Sequence, residues 1–369
     1  MLSDGAAVEG RRARPSAAMA PRGCRMKRWY VWLGAAVSLV FLYFALRGLQ
    51  LGQVWAGVRA ANYWWLLPGV AVYFLAVWAR TWRWHYLLRP VQRVSLRSLF
   101  PIVVIGYMGN NVYPARAGEV IRAYVLKRRE RVDMSPSLAT IVVERIFDGV
   151  VMLFFVFVAL PFTPLPGWIR QTVVLSSALF FGMLLVFFAL AASPGRAQAV
   201  YAWAVRRFVP EAWRERVTGV LDRFMDGLSC LRSGRDVAMV FVTSVAIWLT
   251  ETVKYWFVMH GFGFSVPFYV LMLMAAVVNL ATTLPSSPGY VGTFDGPGIA
   301  VLAAFGVGAT LAASYTLVLH AALWFPITAL GAYYMWRERV SWSDFGAATR
   351  ARGGEAEGMA GVEQRNAQT

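Results

Sequence analysis

Long apolar runs alternate with short basic segments from residue 29 onward. A helix needs about 20 consecutive, mostly apolar residues to cross bilayer hydrocarbon. Residues 29–46, 63–80, 138–160, 171–192, 237–259 and 314–336 offer runs of about that kind, and 267–284 and 298–312 add shorter ones. The pattern predicts an all-α integral membrane protein of about eight transmembrane helices. Residues 99–112 are too short for a straight crossing and contain Gly106, Gly109, Asn110 and Asn111. They read as a re-entrant or broken segment, and the breaks fall near 99–119 and 279–297. Between residues 194 and 236 the apolar positions Val205, Phe208, Val209, Trp213, Val217, Val220, Leu221, Phe224 and Leu228 recur near helical spacing among charges. That spacing predicts an amphipathic helix pair on the membrane surface.

Composition supports this reading. Hydrophobic residues make up 58% of the chain, mean hydropathy is +0.52, and charged residues are only 15%, against roughly 25% in soluble domains. The flanks differ. Residues 1–28 form a basic tail rich in Arg, Ala, Gly and Pro, and 337–369 a polar one; both read as disordered, on either side of a membrane domain at 29–336. Met26-Lys27-Arg28, just before the first run, resembles a translation start. The first run is long for a signal peptide and lacks a clear cleavage site, so it reads as an anchor. Net charge is +17 and the pI near 10.4. The arginines cluster in alternate inter-span segments, which is the positive-inside pattern and excludes nucleic acid as the partner. That alternation predicts both termini in the cytoplasm and residence in the inner cell membrane. Cys24 and Cys230 both lie in basic segments and imply neither a disulfide nor a metal site.

Broken helices persist in hydrocarbon only where protein buries them or where they line a cavity. The two breaks, 110–119 and 285–295, are therefore the candidate substrate path, and interrupted segments in corresponding halves are the usual mark of a transporter site. Arg116, Glu119 and Arg122 follow at spacings of three, so one helix face would carry them. A guanidinium fork there suits a phosphate headgroup; a basic loop that sets topology is the alternative reading. Glu144, Arg145 and Asp148 sit in the first turns of the third long run, where ionisable groups face a cavity or pair. Glu251 and Lys254, three apart in the run 237–259, read as a buried ion pair. His85, His260 and His320 are scattered and read as packed or interfacial. No nucleophile elbow, zincin, P-loop or CxxC pattern occurs, which weighs against an enzyme and implies no cofactor or metal.

Three ordered motifs resemble one family: Asn111-x-x-Pro114-x-Arg116-x-Gly118-Glu119-x-x-Arg122, then Glu144-Arg145-x-x-Asp148, then Pro285-x-x-Pro288-Gly289-x-x-Gly292-x-Phe294-Asp295. They are similar to the lysylphosphatidylglycerol synthase transmembrane region, also called flippase-like or UPF0104 proteins. Tyr290 stands where the family often has Gly, and Asp295 where it often has Glu. In the larger synthases a similar membrane domain flips aminoacylated phosphatidylglycerol, made by an attached aminoacyltransferase domain that this chain is expected to lack. The resemblance implies a lipid translocase for an anionic or modified headgroup. Arg116, Arg122 and Arg145 would bind phosphate, and Glu119, Glu144 and Asp295 would balance charge or meet a cationic group. Asn111, Asp148, Pro288 and Gly289 complete the candidate set. The alternative is a membrane enzyme or assembly subunit in lipid-linked glycan or isoprenoid-lipid synthesis. The implied partners are a membrane lipid and either a second copy or a separate lipid-modifying enzyme.

Overall fold

The computed structural model describes residues 50–113, 116–162, 193–227, 233–284 and 287–339, with scattered positions in 36–47 and 171–185. The expected spans 29–46 and 171–192 and both terminal tails lie wholly or largely outside these residues. Every described regular element is helical, consistent with an all-α membrane protein. In chain order the α-helices are α1 (Leu51–Ala60), α2 (Leu66–Leu88), α3 (Leu96–Val112), α4 (Gly118–Glu130), α5 (Met134–Ala159), α6 (Pro194–Phe208), α7 (Glu211–Gly227), α8 (Gly234–His260), α9 (Phe268–Ala281), α10 (Asp295–Ala304) and α11 (Ala309–Arg337).

Two of these, α8 and α11, are long and apolar enough to cross a membrane on length and composition alone; α1 with Tyr63–Leu88 forms a third candidate bent by 71°. At 26 residues α5 is also long and apolar, but it carries three charged residues, Glu144, Arg145 and Asp148. The surface is greasy where lipid would touch it: Leu67 and Trp78 on α2, Val242 on α8 and Phe325 on α11 are exposed. The interior holds charge instead, including Arg80, Arg83, Glu144, Asp148, Glu251 and Lys254. Where the solvent is hydrocarbon, paired ions go inside.

Four differences from the sequence reading bear on function. The second run does not end at Arg80: α2 continues to Leu88, and Arg80 and Arg83 are buried members of it rather than loop residues. The basic segment after the first break is the helix α4, whose Val120, Ile121, Val125 and Leu126 pack into the same core as α3. Residues 267–284 and 298–312 do not form two full-length helices. The helices α9 and α10 span only about 21 and 15 Å at 1.5 Å per residue. Their far ends meet, with the Tyr269 and Phe305 rings 6.0 Å apart. Finally, the amphipathic pair α6–α7 is helical as expected, but α7 covers a protein surface. Ser135 of α5 donates to the Val220 carbonyl at 2.9 Å, and Phe224 and Met225 pack on Leu87, Val143 and Phe147.

The bundle therefore contains two short helical hairpins. In α3–α4, Gly106, Gly109 and Gly118 let the backbones touch: a Cβ on Gly118 would lie 1.9 Å from the Gly106 carbonyl oxygen. Small residues at such contacts are how membrane helices approach closely. The base of this hairpin is tied by Gln92 donating to the Glu130 carbonyl at 3.0 Å. That base lies at the end of the bundle where α11 terminates, because Arg129 pairs with Glu338 at 3.2 Å. The base of α9–α10 lies at the opposite end. There Phe262 and Phe264, just after α8, flank Tyr315, and the Phe162 ring stands 5.1 Å from that of Tyr269. The hairpins enter from opposite ends, and their tips meet inside.

Candidate functional site

The tips are held together by polar contacts. Arg116 donates to both the carbonyl and the hydroxyl of Thr282, each at 3.2 Å. The Asn111 side chain donates to Thr328 Oγ1 at 2.9 Å and to the Trp324 carbonyl at 3.4 Å, tying the first break to α11. The second break turns on Gly289, with φ +73, and Tyr290, with φ +60. A side chain at 289 would place its Cβ 2.9 Å from Trp324 Nε1, so glycine suits both the turn and the space. Arg116 is also left-handed, at φ +51. Two non-glycine residues in this sparsely populated region, one in each break, are the kind of strain that collects at functional sites. They face each other, with the Arg116 guanidinium 5.9 Å from the Tyr290 ring centre.

A cavity of about 160 Å³ lies where the tips meet α2, α5, α8 and α11. Its ionisable wall consists of Arg80, Arg116, Arg145, Lys254, Glu251 and His320. Asn110, Asn111, Asn279 and Thr282 add polar groups, and Tyr107, Trp248, Tyr290 and Trp324 are among the aromatic ones. Leaving His320 aside, four cations face one carboxylate.

Behind the wall lies an ion network that positions it. Glu251 accepts from Arg80 at 2.5 Å and also pairs with Lys254. Arg83, fully buried, donates to Asp148 at 2.9 Å and to Ser244 at 2.7 Å and lies 3.6 Å from Glu144. Glu144 accepts from Arg122 at 2.6 Å. Asp148 also meets Arg145 at 3.1 Å and accepts from Trp248 Nε1 at 2.9 Å. Aromatic faces complete the solvation of the cations: Arg122 lies 3.6 Å over Trp84, Arg80 4.7 Å over Trp248, and Lys254 4.4 Å over Tyr73. Each buried ion thus has a partner, which is what keeps such a network tolerable away from water.

The structure sorts the candidate residues into three groups. Asn111, Arg116 and Arg145 line the cavity. Glu119 lies between the last two, 4.0 Å from Arg116 and 3.6 Å from Arg145. Arg122, Glu144 and Asp148 are buried in the network behind it. Arg122 therefore does not share an exposed face with Arg116, which precedes the first residue of α4 and points to the second break instead. Pro288 and Gly289 shape the turn, and Asp295 caps it by accepting from the Gly292 N–H at 2.9 Å. Asp295 and the Gly289 carbonyl also bracket His320, at 2.9 Å from Nδ1 and 2.7 Å from Nε2. Glu144 and Asp295 are thus engaged within the protein and do not face the cavity. The expected Glu251–Lys254 pair is present, extended by Arg80.

Sequence reasoning missed Arg80, Arg83 and His320. The two arginines looked like orientation signals at the end of an apolar run. His320 falls in the middle of α11, where an ionisable residue in a span is a functional candidate by default.

The family described as "Lysylphosphatidylglycerol synthase TM region" matches residues 31–331, which include all of these groups. A UPF0104 membrane protein of Methanothermobacter thermautotrophicus is 25% identical over 316 residues, covering 80% of this chain and 93% of that one. A UPF0104 membrane protein of Methanocaldococcus jannaschii is 22% identical over 246 residues, 64% of this chain and 73% of its own. The glycosyltransferase AglD of Haloferax volcanii is 28% identical over 260 residues, 62% of this chain but only 42% of AglD. No solved structure matches. With about four-fifths of its length matched by that family, the chain belongs to the lysylphosphatidylglycerol synthase transmembrane-region family.

Proposed function

We propose that this protein is a membrane lipid translocase whose substrate carries an anionic or modified headgroup. The observation that carries the reading is the cavity at the meeting of two broken helical hairpins, with four cations and one carboxylate on its wall. A headgroup crossing hydrocarbon needs a polar path, and a cationic one suits phosphate. Arg116 and Arg145 would grip the phosphate, with Glu119 holding both guanidiniums in orientation. Arg122, Glu144 and Asp148 would act from behind, by fixing Arg145 and α5. Since each tip is reached from the opposite end, small motions of one hairpin against the other would expose the cavity to alternate sides, as broken-helix transporters do. The alternation of Arg-rich segments supports a topology with both termini in the cytoplasm and residence in the inner membrane. Reporter fusions at Asn62 should read external, and those at Arg129 and Arg214 internal. The working partners are the lipid itself, not nucleic acid, and either a second copy or a separate lipid-modifying enzyme.

The test is reconstitution into liposomes carrying a trace of acyl-labelled phosphatidylglycerol. Dithionite should bleach nearly all of the label if the protein moves lipid, and about half in protein-free vesicles. A second reading draws on the likeness to AglD, which is named a glycosyltransferase: a membrane subunit or enzyme of lipid-linked glycan synthesis. In that case the same vesicles should consume a sugar donor and leave half of the label protected.

A further inference from the structure

Resting on the translocase reading, we propose that the headgroup is a phosphate ester bearing hydroxyls, a polyol or a sugar, and that an amine-bearing aminoacylated headgroup is excluded. Every carboxylate near the cavity is already claimed. Glu251 is shared by Arg80 and Lys254, Asp148 by Arg83 and Arg145, and Glu144 by Arg83 and Arg122. Glu119 stands between Arg116 and Arg145, and Asp295 is held by His320 and the Gly292 N–H. An incoming ammonium would therefore meet cations first and find no free anion among the described residues. A phosphate meets the reverse situation. Arg116 and Arg145 both line the cavity, with side chains 20% and 31% exposed, whereas Glu119 is not on its wall.

The neutral part of the wall fits hydroxyls. The Asn279 side chain lines the cavity without a hydrogen-bond partner among the described residues. Amides both donate to and accept from hydroxyls. Tyr290 and Trp324 add flat apolar faces on which the C–H face of a sugar or glycerol lies without desolvating an ion. This chemistry differs from the aminoacylated lipid that gives the family its name.

The experiment compares initial translocation rates of four acyl-labelled probes in vesicles holding the wild-type protein: phosphatidylglycerol, a polyprenyl-phosphate hexose, lysyl-phosphatidylglycerol and phosphatidylethanolamine. The inference predicts that at least one hydroxyl-bearing anion moves about tenfold or more faster than both amines, a discrimination of about 1.4 kcal/mol. Whichever of the first two is faster distinguishes polyol from sugar. Equal or faster movement of lysyl-phosphatidylglycerol overturns the inference but leaves the translocase reading standing. Movement of none of the four overturns that reading itself. Asn279→Asp supplies the missing free carboxylate, so it should narrow the preference for anions over lysyl-phosphatidylglycerol at least threefold. An unchanged ratio in a well-folded Asn279→Asp protein also counts against the inference.

Discussion

Glu251 is the anion on which two buried cations depend, and this makes the three residues unequal in a way that can be measured. Glu251→Gln leaves Arg80 and Lys254 buried, 7% and 4% exposed, with no carboxylate between them. Removing one partner of a buried pair costs about 3–5 kcal/mol. Stranding two cations on one wall should reach the upper end, about 5 kcal/mol. Lys254→Met is different, because the Arg80–Glu251 hydrogen bond at 2.5 Å survives as a balanced pair. Its cost is mainly the lost contact with the Tyr73 ring, about 1–2 kcal/mol. The double variant strands Arg80 alone and should fall between, about 3 kcal/mol. From the sequence, with only Glu251 and Lys254 in view, either single change should be worse than the double; Arg80 breaks that symmetry. Unfolding in mixed micelles with increasing SDS, followed by tryptophan fluorescence, gives the ranking. If Lys254→Met is as damaging as Glu251→Gln, the shared-carboxylate arrangement is wrong.

Gly118→Ala should prevent the α3–α4 hairpin from closing, since its Cβ has 1.9 Å to the Gly106 oxygen, and folded yield should collapse, whereas Gly52→Ala, with nothing within 4 Å, should leave yield unchanged. Arg122→Lys keeps the charge opposite Glu144 but loses the guanidinium stacked 3.6 Å over Trp84, so it should cost about 2 kcal/mol of stability while transport per folded molecule stays near normal. A loss of transport without a loss of stability would return Arg122 to the headgroup site. Tyr290 tests backbone strain: at φ +60, Tyr290→Val should be about 2 kcal/mol less stable than Tyr290→Gly, and equal stabilities would mean that the turn relaxes.

How much of this was legible in the sequence depends on the kind of signal. Apolar run length located α8 and α11, glycine and asparagine located the first break, and Pro285-Ser286-Ser287-Pro288-Gly289 located the second, because these are local properties. The partnering of ions is not local. Glu144, Asp148 and Glu251 lie in spans with only Arg145 and Lys254 beside them, a surplus of one acid that required a cation from elsewhere. Arg80 and Arg83, on one face of α2, supply two, but periodicity gave no reason to extend that helix to Leu88. The fold-back of α9 and α10 was hidden for a related reason. Two short apolar runs read the same whether they cross or return, and what separates the cases is the shortness of α9 and α10 and the tip between them, which Arg116 holds inside the bundle through Thr282. The same non-locality took Arg122 away from the cavity wall: its spacing from Arg116 implied one helix face, but α4 begins only at Gly118 and Arg122 is buried.

The central claim is that headgroups pass through the cavity where the two hairpin tips meet. The most direct measurement is the initial dithionite-accessible flip rate of labelled phosphatidylglycerol for Arg116→Gln and for Arg145→Gln, each reconstituted at the same number of folded molecules per vesicle as the wild type. Both side chains line the cavity and neither is deeply buried, so both proteins should fold. The account predicts that each rate falls about tenfold or more, one lost charge-assisted phosphate contact being worth about 1.5–3 kcal/mol. Wild-type rates in both variants would contradict it.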